Sequence, residues 1–237
     1  MAGQYGALAR HYDSLMAHVD YERWADFIVP FLDEAGLVLD LACGTGRMTE
    51  LLCARGFDMI GVDRSEDMLA SAHGRGCGAL FLQQDMTELD LYGTVRGAVC
   101  TLDGLNYVTE PKALLTVISR VSLFLEKDCP FIFDIHTPGA LAARDGKSFT
   151  SECDGAFCVW RCEWEAPLCR QEVTLFERRG SLWQRHEEEH TERAYRRDDV
   201  EQMLAAAGFS EVLCYGDFSR LPPGPDTERM FFIAKKG

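Results

Sequence analysis

The run Val38-Leu39-Asp40-Leu41-Ala42-Cys43-Gly44-Thr45-Gly46 constrains this chain more than any other stretch of it. An apolar segment bounded by glycine reads as a fully buried strand, Leu37 to Ala42, that enters a glycine turn and then a helix. Glycine lets the backbone adopt positive φ and come close to a ligand. The helix N-terminus beyond it presents free N–H groups and a partial positive charge. Nineteen residues after Gly44, Asp63 closes the next apolar run, Met59 to Val62. An acid at the tip of a second strand accepts hydrogen bonds from both hydroxyls of a ribose. Together these predict an α/β fold with a nucleotide-type site at the carboxyl ends of its strands.

The rest of the chain extends that unit. Upstream, Tyr21, Trp24, Ile28, Phe31 and Leu32 recur at steps of three and four, predicting a helix over 21–35 that Gly36 closes. Downstream, Ser65 is placed to cap a helix with Glu66 and Asp67 in its first turn. Ala79 to Leu82 and Ala98 to Leu102 read as strands, and Pro111 opens a helix whose Leu114, Ile118, Val121 and Leu125 share a face. Phe131 to Ile135 is a further buried strand. The expected core is a Rossmann-like, doubly wound, mostly parallel seven-stranded sheet with helices on both faces.

The periodicity changes after His136. Cys158, Trp160, Cys162 and Trp164 alternate with Val159, Arg161 and Glu163, and Val173, Leu175, Leu182 and Trp183 continue the pattern around Gly180. This predicts an antiparallel β insertion after the fifth strand. The boundaries read 1–147 for the N-terminal helices and the core, 148–195 for the insertion, and 196–237 for the return to the core. That last part holds a helix capped by Asp198 and stopped by Gly208, then two strands, Glu211 to Tyr215 and Met230 to Ala234.

Composition narrows the function. The 237 residues carry a formal net charge of −14, with 47% hydrophobic and 26% charged residues. That is a globular balance with enough chain for a sizeable core. Strong acidity argues against gripping nucleic-acid backbones, which rests on many Lys and Arg contacts. A small anion held by backbone amides stays open. No apolar run approaches the roughly eighteen residues of a membrane span. The opening MAGQYGALARHYDSLM lacks the apolar stretch and cleavage site of a secretion signal. The ten cysteines are scattered through strand-like and helix-like segments and read as small buried hydrophobes of a reduced, cytoplasmic protein.

Two kinds of cofactor compete for the glycine turn. A dinucleotide fingerprint, G-x-G-x-x-G, needs a third glycine for close helix–strand packing. Counted from Gly44 that position is Thr49, and counted from Ala42 it is Arg47, so the dinucleotide reading loses. LDLACGTG with VDRSEDML downstream resembles the first motif and acidic second-strand tip of the class I S-adenosylmethionine-dependent methyltransferases. YDSLM, YERWADFI, LDGLNYV and HTERAY are similar to a bacterial small-molecule group within that superfamily, across nearly the whole chain. Ala42 departs from a position where that family often has glycine.

The resemblance implies S-adenosyl-L-methionine as methyl donor, S-adenosyl-L-homocysteine as product and a small-molecule acceptor. It implies that Asp40 and the backbone of Ala42, Gly44 and Gly46 surround the methionine part of the cofactor. Asp63 would hold the ribose, with Arg64 and Met68 beside the adenine. Asp85 would sit by the adenine amino group, with Met86 against the ring. Leu102 and Asp103 would lie where cofactor and acceptor meet. Tyr12 and Trp24 would come from N-terminal helices that close over the cofactor and, with the insertion as a lid, form the acceptor pocket.

Displacement at a sulfonium methyl asks for alignment, dehydration and placed charge, and for a base only where the acceptor arrives protonated. His136 and Asp103 are the candidate bases. Each is weighed against a structural role, a strand-end imidazole bonded to backbone and a carboxylate that orients the cofactor. His186-Glu187-Glu188-Glu189-His190 matches the H-E-x-x-H metalloprotease pattern, which needs a helix. On a strand its histidines would share a face about 13 Å apart, so a solvated acidic strand is expected. Cys153, Cys158, Cys162 and Cys169 lack paired C-x2-C knuckles and are expected to pack the inserted sheet, with no metal. Tyr5, His11, His18 and Tyr195 are second-rank pocket candidates, and Arg178, Arg179, Arg193, Arg196 and Arg197 a candidate basic patch. A non-catalytic module binding the same ligand, and behind it a nucleotide-dependent oxidoreductase, are the alternatives.

Overall fold

Three helices lead into the core: Gly6–Ala9 (α1), Tyr12–Leu15 (α2) and Tyr21–Ile28 (α3). The protein is seen here as a computed structural model that describes residues 6–32 and 36–237. Asp20 starts α3, its side chain accepting a hydrogen bond from the Arg23 amide. The helix expected to run to residue 35 stops at Ile28 and tightens into a 3₁₀ turn, Val29–Phe31. Pro30 is the cause, because its ring denies the helix a donor and crowds the preceding turn.

Leu37–Leu41 (β1), Asp58–Asp63 (β2), Leu80–Gln83 (β3), Gly97–Cys100 (β4) and Pro130–His136 (β5) pair in parallel. Between them run Arg47–Ala54 (α4), Glu66–His73 (α5) and Pro111–Phe124 (α6). Ser65 caps α5 by accepting from the Met68 amide at 3.3 Å. After β5 comes the short helix Pro138–Ala142 (α7), and then a separate antiparallel sheet. Its strands are Ser148–Cys153 (β6), Ala156–Glu165 (β7), Leu168–Arg179 (β8) and Leu182–Arg193 (β9), in that order.

The chain returns through Arg197–Ala206 (α8) to Phe209–Gly216 (β10) and Arg229–Lys236 (β11). Asp198 lies in the first turn of α8 and Arg196 occupies the cap position, so the expected Asp198 cap is corrected. An acid in that turn still favours the helix through its dipole. The large sheet has the order β10-β11-β5-β4-β1-β2-β3, with β11 antiparallel to both its neighbours. β1 sends the chain to β2 on one side and lies beside β4 on the other. That reversal opens a crevice at the carboxyl ends of the strands.

Both faces of the sheet are covered, as its continuous apolar strands require. Leu114, Val117, Ile118 and Val121 of α6 pack one face together with Val200 and Leu204 of α8. Trp24, Phe27 and Ile28 of α3 pack the other with Met48, Leu51 and Leu52 of α4. Phe133 of β5 and Phe232 of β11 face each other in register and stack at 5.0 Å.

The inserted sheet buries Cys158, Val173 and Leu175 on one face, against Leu8 and Leu15 of the N-terminal helices. β9 is not the wholly solvated acidic strand expected. Glu187 and Glu189 point outward and are exposed, while His190 and Glu192 are almost completely buried on the opposite face. Among the described residues, no helix is long and apolar enough to cross a membrane.

Candidate active site

The crevice holds a cavity of about 510 Å³ whose two walls are built differently. The first wall is the turn after β1. Ala42, Gly44 and Gly46 have φ of 58°, 53° and 74°. A Cβ added at Gly44 would meet nothing within 4 Å, so this residue leaves its backbone open to a ligand. A Cβ at Gly46 would stand 2.9 Å from the Ala72 Cβ on α5, so this glycine serves helix packing. Ala42 accepts the left-handed conformation at a cost of about 1 kcal/mol.

Asp40 does not line the cavity. It is buried at the tip of β1 and its Oδ2 accepts from the Thr49 hydroxyl at 2.5 Å, tying strand to helix α4. Burial pushes its carboxyl up to about 7. Asp63 does face the cavity. Its Oδ2 accepts from the Gly44 amide at 2.9 Å and its Oδ1 from the Ser65 amide at 2.8 Å, which locks the two strand tips together. Each oxygen keeps a further lone pair for a ligand hydroxyl. Burial raises the Asp63 carboxyl. At Asp85 partial burial acts upward too, but the Thr87 hydroxyl and amide, donating at 2.7 and 2.8 Å, outweigh it and hold the carboxyl low.

The second wall starts where β4 ends in two left-handed residues, Leu102 and Asp103, each with φ of 57°. The buried Asp134 carboxylate holds this turn. Its Oδ1 accepts from the Leu102 amide at 2.9 Å and from Trp24 Nε1 at 3.1 Å. Its Oδ2 accepts from the Asp103 amide at 3.1 Å and from the Arg229 guanidinium. Arg229 Nη2 also donates to Asp103 Oδ1 and to His136 Nε2, both at 2.9 Å. Arg144 Nη2 reaches the same His136 nitrogen at 2.6 Å, and its Nη1 donates to Glu192 Oε1 at 3.2 Å. Gln171 Nε2 donates to that Glu192 oxygen as well.

This network fixes the chemistry of its members. His136 Nε2 sits among three charged groups, beside the guanidiniums of Arg144 and Arg229 and 3.3 Å from Asp103 Oδ1. Burial pushes the Asp103 carboxyl up, yet His136, Arg229 and Arg144 around it carry it well below the ordinary range. Burial acts against the charge of Arg229, but Asp134 and Asp103 hold it firmly protonated. Glu192 goes the other way: burial foremost, with the charge of Asp103, pushes its carboxyl up to about 8. Glu192 Oε2 and His136 Nδ1 are buried and have no hydrogen-bond partner. Asp103, His136 and Glu192 offer ligand atoms within 4.8 Å of one another. They do not suit a metal, because two guanidiniums already stand at His136 Nε2 and would repel a cation there.

Of the residues expected at the cofactor, Tyr12, Trp24, Ala42, Gly44, Asp63, Arg64, Met68, Asp85, Met86 and Leu102 line the one cavity, as do Asp103 and His136. Asp40 and Gly46 stand behind it. His18 lines it too, whereas Tyr5 lies outside the described residues. His11 Nε2 bonds Glu177 Oε1 at 3.1 Å, and Tyr195 is a core residue whose hydroxyl donates to the Val108 carbonyl. The basic stretch is divided among separate partners, Arg179 on Glu177, Arg193 on the Thr109 carbonyl and Arg197 on Glu201. The H-E-x-x-H run lies on β9, with His186 beside Glu177 and His190 beside Glu188. None of the ten cysteines forms a disulfide.

The sequence did not point to Asp134, Arg144, Gln171, Glu192 or Arg229. Strand parity in β9 carried one usable signal, since His190 and Glu192 share a face with His186.

Residues 38–124 match a family model described as a methyltransferase domain. The "Putative methyltransferase YqeM" of Bacillus subtilis is 30% identical over 98% of this chain and 97% of its own length. A Geobacillus protein also described as a methyltransferase is 32% identical over 98% of this chain and 99% of its own. A crystal structure of an S-adenosylmethionine-dependent methyltransferase from Clostridium acetobutylicum superposes with a TM-score of 0.86 at 32% identity, covering 99% of this chain and 100% of that one.

Proposed function

The chain belongs to the class I S-adenosylmethionine-dependent methyltransferases, and on that premise we propose that its cavity joins a cofactor subsite to a small-molecule acceptor subsite. One observation carries the reading: the glycine turn and the inserted sheet line the same cavity, Gly44 and Asp63 on one side, Trp160 and Glu192 on the other. Its volume of about 510 Å³ suits small ligands.

The residues present fit the cofactor. Gly44 is open toward the cavity, Asp63 has lone pairs to spare for a ribose diol, and Met68 and Met86 offer apolar surface for an adenine. When bound, S-adenosylmethionine supplies a methyl group already activated on a sulfonium. Asp40 and Gly46 keep the turn in shape from behind, and Asp85 closes the adenine end. Leu102 and Asp103, held by Asp134, form the wall between the two subsites. We place Asp103 and His136 in the acceptor subsite as parts of its arginine-bound frame. Cysteines without disulfides fit a reducing, cytoplasmic setting.

Calorimetry with S-adenosylhomocysteine and with NADH tests the reading. The sulfur ligand is expected to bind and NADH to fail. Asp63→Ala removes two ribose hydrogen bonds at about 1 kcal/mol or more each, and so weakens S-adenosylhomocysteine roughly 10- to 100-fold. Unaltered affinity would mean that the ribose sits elsewhere.

A further inference from the structure

We propose that Glu192 receives an amine acceptor: its unpartnered carboxylate oxygen binds the acceptor's ammonium nitrogen and takes one of its protons. This rests on the methyltransferase reading above and adds the acceptor class and the group that prepares it.

The geometry singles out Glu192 from its neighbours. It is 1% exposed and lines the cavity from β9. Oε1 is engaged by Arg144 and Gln171, while Oε2 has no partner. A buried carboxylate oxygen left without a donor is costly, so a ligand that brings one is favoured there. His136 cannot substitute, because its Nε2 is already taken up by Arg144, Arg229 and Asp103. Asp103 is too weak a base, kept ionised by the groups packed round it.

Charge gives the class of ligand. Asp103, Asp134 and Glu192 set three carboxylates against the guanidiniums of Arg144 and Arg229. Glu192, raised to about 8, holds its proton at neutral pH in the empty site; an arriving ammonium favours its ionised form, and three carboxylates then balance two guanidiniums and one ammonium. A carboxylate acceptor would find both arginines already engaged and two like charges facing it. A neutral hydroxyl would bring no charge to favour the ionised form of Glu192.

Proton affinity agrees with this. Glu192, pushed up to about 8, is close enough to an amine to share its proton at small cost. The titratable and charged groups that bear on it are Asp103 beyond β4, His136 on β5, Arg144 after α7, Cys169 on β8, His190 on β9 and Arg229 on β11. In the balanced step, the ammonium gives one proton to Glu192. The freed nitrogen lone pair forms the N–C bond as the donor's C–S bond breaks, and that electron pair stays on sulfur. The product leaves as a methylated ammonium, and Glu192 returns its proton to water.

The test uses the full chain loaded with S-adenosylhomocysteine and three probe amines, benzylamine, tyramine and glucosamine, each beside its alcohol counterpart. Calorimetry in two buffers of different ionisation enthalpy counts protons. At pH 7 an amine is expected to bind with release of about one proton, because the Glu192–amine pair holds one fewer than the separate groups. Glu192→Gln should abolish that release and weaken the amine at least 10-fold, with S-adenosylhomocysteine affinity unchanged. In turnover with S-adenosylmethionine, the same variant should lose roughly 100-fold in kcat for the amine. The proposal is overturned if no probe amine binds the loaded protein, if alcohols are methylated and amines are not, or if E192Q binds and methylates amines as before. Failure of S-adenosylhomocysteine itself to bind would instead bring down the parent reading.

Discussion

The two walls of the cavity are made by different physics. The cofactor wall is local and mostly backbone: Asp63 clasps an amide two residues ahead and another nineteen residues behind, and the surface offered to a ligand is a glycine turn. The acceptor wall is a net of side chains from β5, β8, β9, β11, the turn after β4 and the residues after α7, in which Arg229 bonds Asp103 from 126 residues away. A backbone wall presents the same groups whatever side chains surround it, which suits a ligand with invariant parts. A side-chain wall changes with each substitution, which suits the part of the site that sets the acceptor. The contrast is therefore open to mutation.

Arg229→Met should give the largest effect. It leaves Asp134 and Asp103 buried beside a lost cation, and breaking such a pair costs about 3–5 kcal/mol. Urea unfolding of the variant should show a loss of that size, with the left-handed turn at Leu102 and Asp103 losing its anchor. A change below about 1 kcal/mol would show that the net is solvated and contributes little, as exposed ion pairs do.

That arginine also shows where sequence reasoning runs out. Gly44, Asp63 and the Ser65 cap were legible because each acts on residues close along the chain, through spacing that a strand–turn–helix unit imposes. Arg229 opens an apolar strand and looks like any terminal charge, and its partners lie on β4 and β5. Glu192 ends a run of glutamates whose composition suggests water, although its face of β9 is buried. Asp40 has the spacing of a site residue, but its carboxylate is engaged inside the fold. Thr49, one turn into α4, captures its carboxylate and turns it from the cavity. The mostly parallel core and the insertion followed from periodicity, whereas the helix end at Ile28 was fixed by Pro30 against an apolar pattern that continues past it.

The second effect is a pH dependence, to which a buried carboxylate behind each wall contributes with the same sign. Glu192, raised to about 8, and Asp40, raised to about 7, both hold protons more tightly folded than unfolded. Their stabilising contribution is complete below the ordinary carboxylate range and is lost as pH rises from about 4 towards those raised values. Glu177 acts in reverse: its burial is outweighed by Arg10 and His11, which lower it to about 2, so its contribution is lost only as pH falls toward that value. Unfolding at pH 5 and pH 8 should therefore show the protein weaker at the higher pH. Glu192→Gln should remove part of that loss, on the order of 2 kcal/mol. Parallel pH profiles for the two proteins would place Glu192 in its ionised form throughout.

The smallest effect separates two glycines within the cofactor wall itself. Gly44 and Gly46 both have left-handed φ, so alanine at either position carries a strain of about 1 kcal/mol. At Gly46 the new methyl also meets Ala72 at 2.9 Å and Phe81 at 3.2 Å, which forces α4 and α5 apart and adds about 1 kcal/mol or more. At Gly44 the methyl enters open space in the cavity. Gly46→Ala is thus expected to lower stability more and S-adenosylhomocysteine affinity less, and Gly44→Ala to do the opposite. Thermal unfolding and calorimetry on the pair would show it. If both variants lose affinity equally, the turn acts as one rigid unit, and the division into a ligand-facing glycine and a packing glycine does not hold.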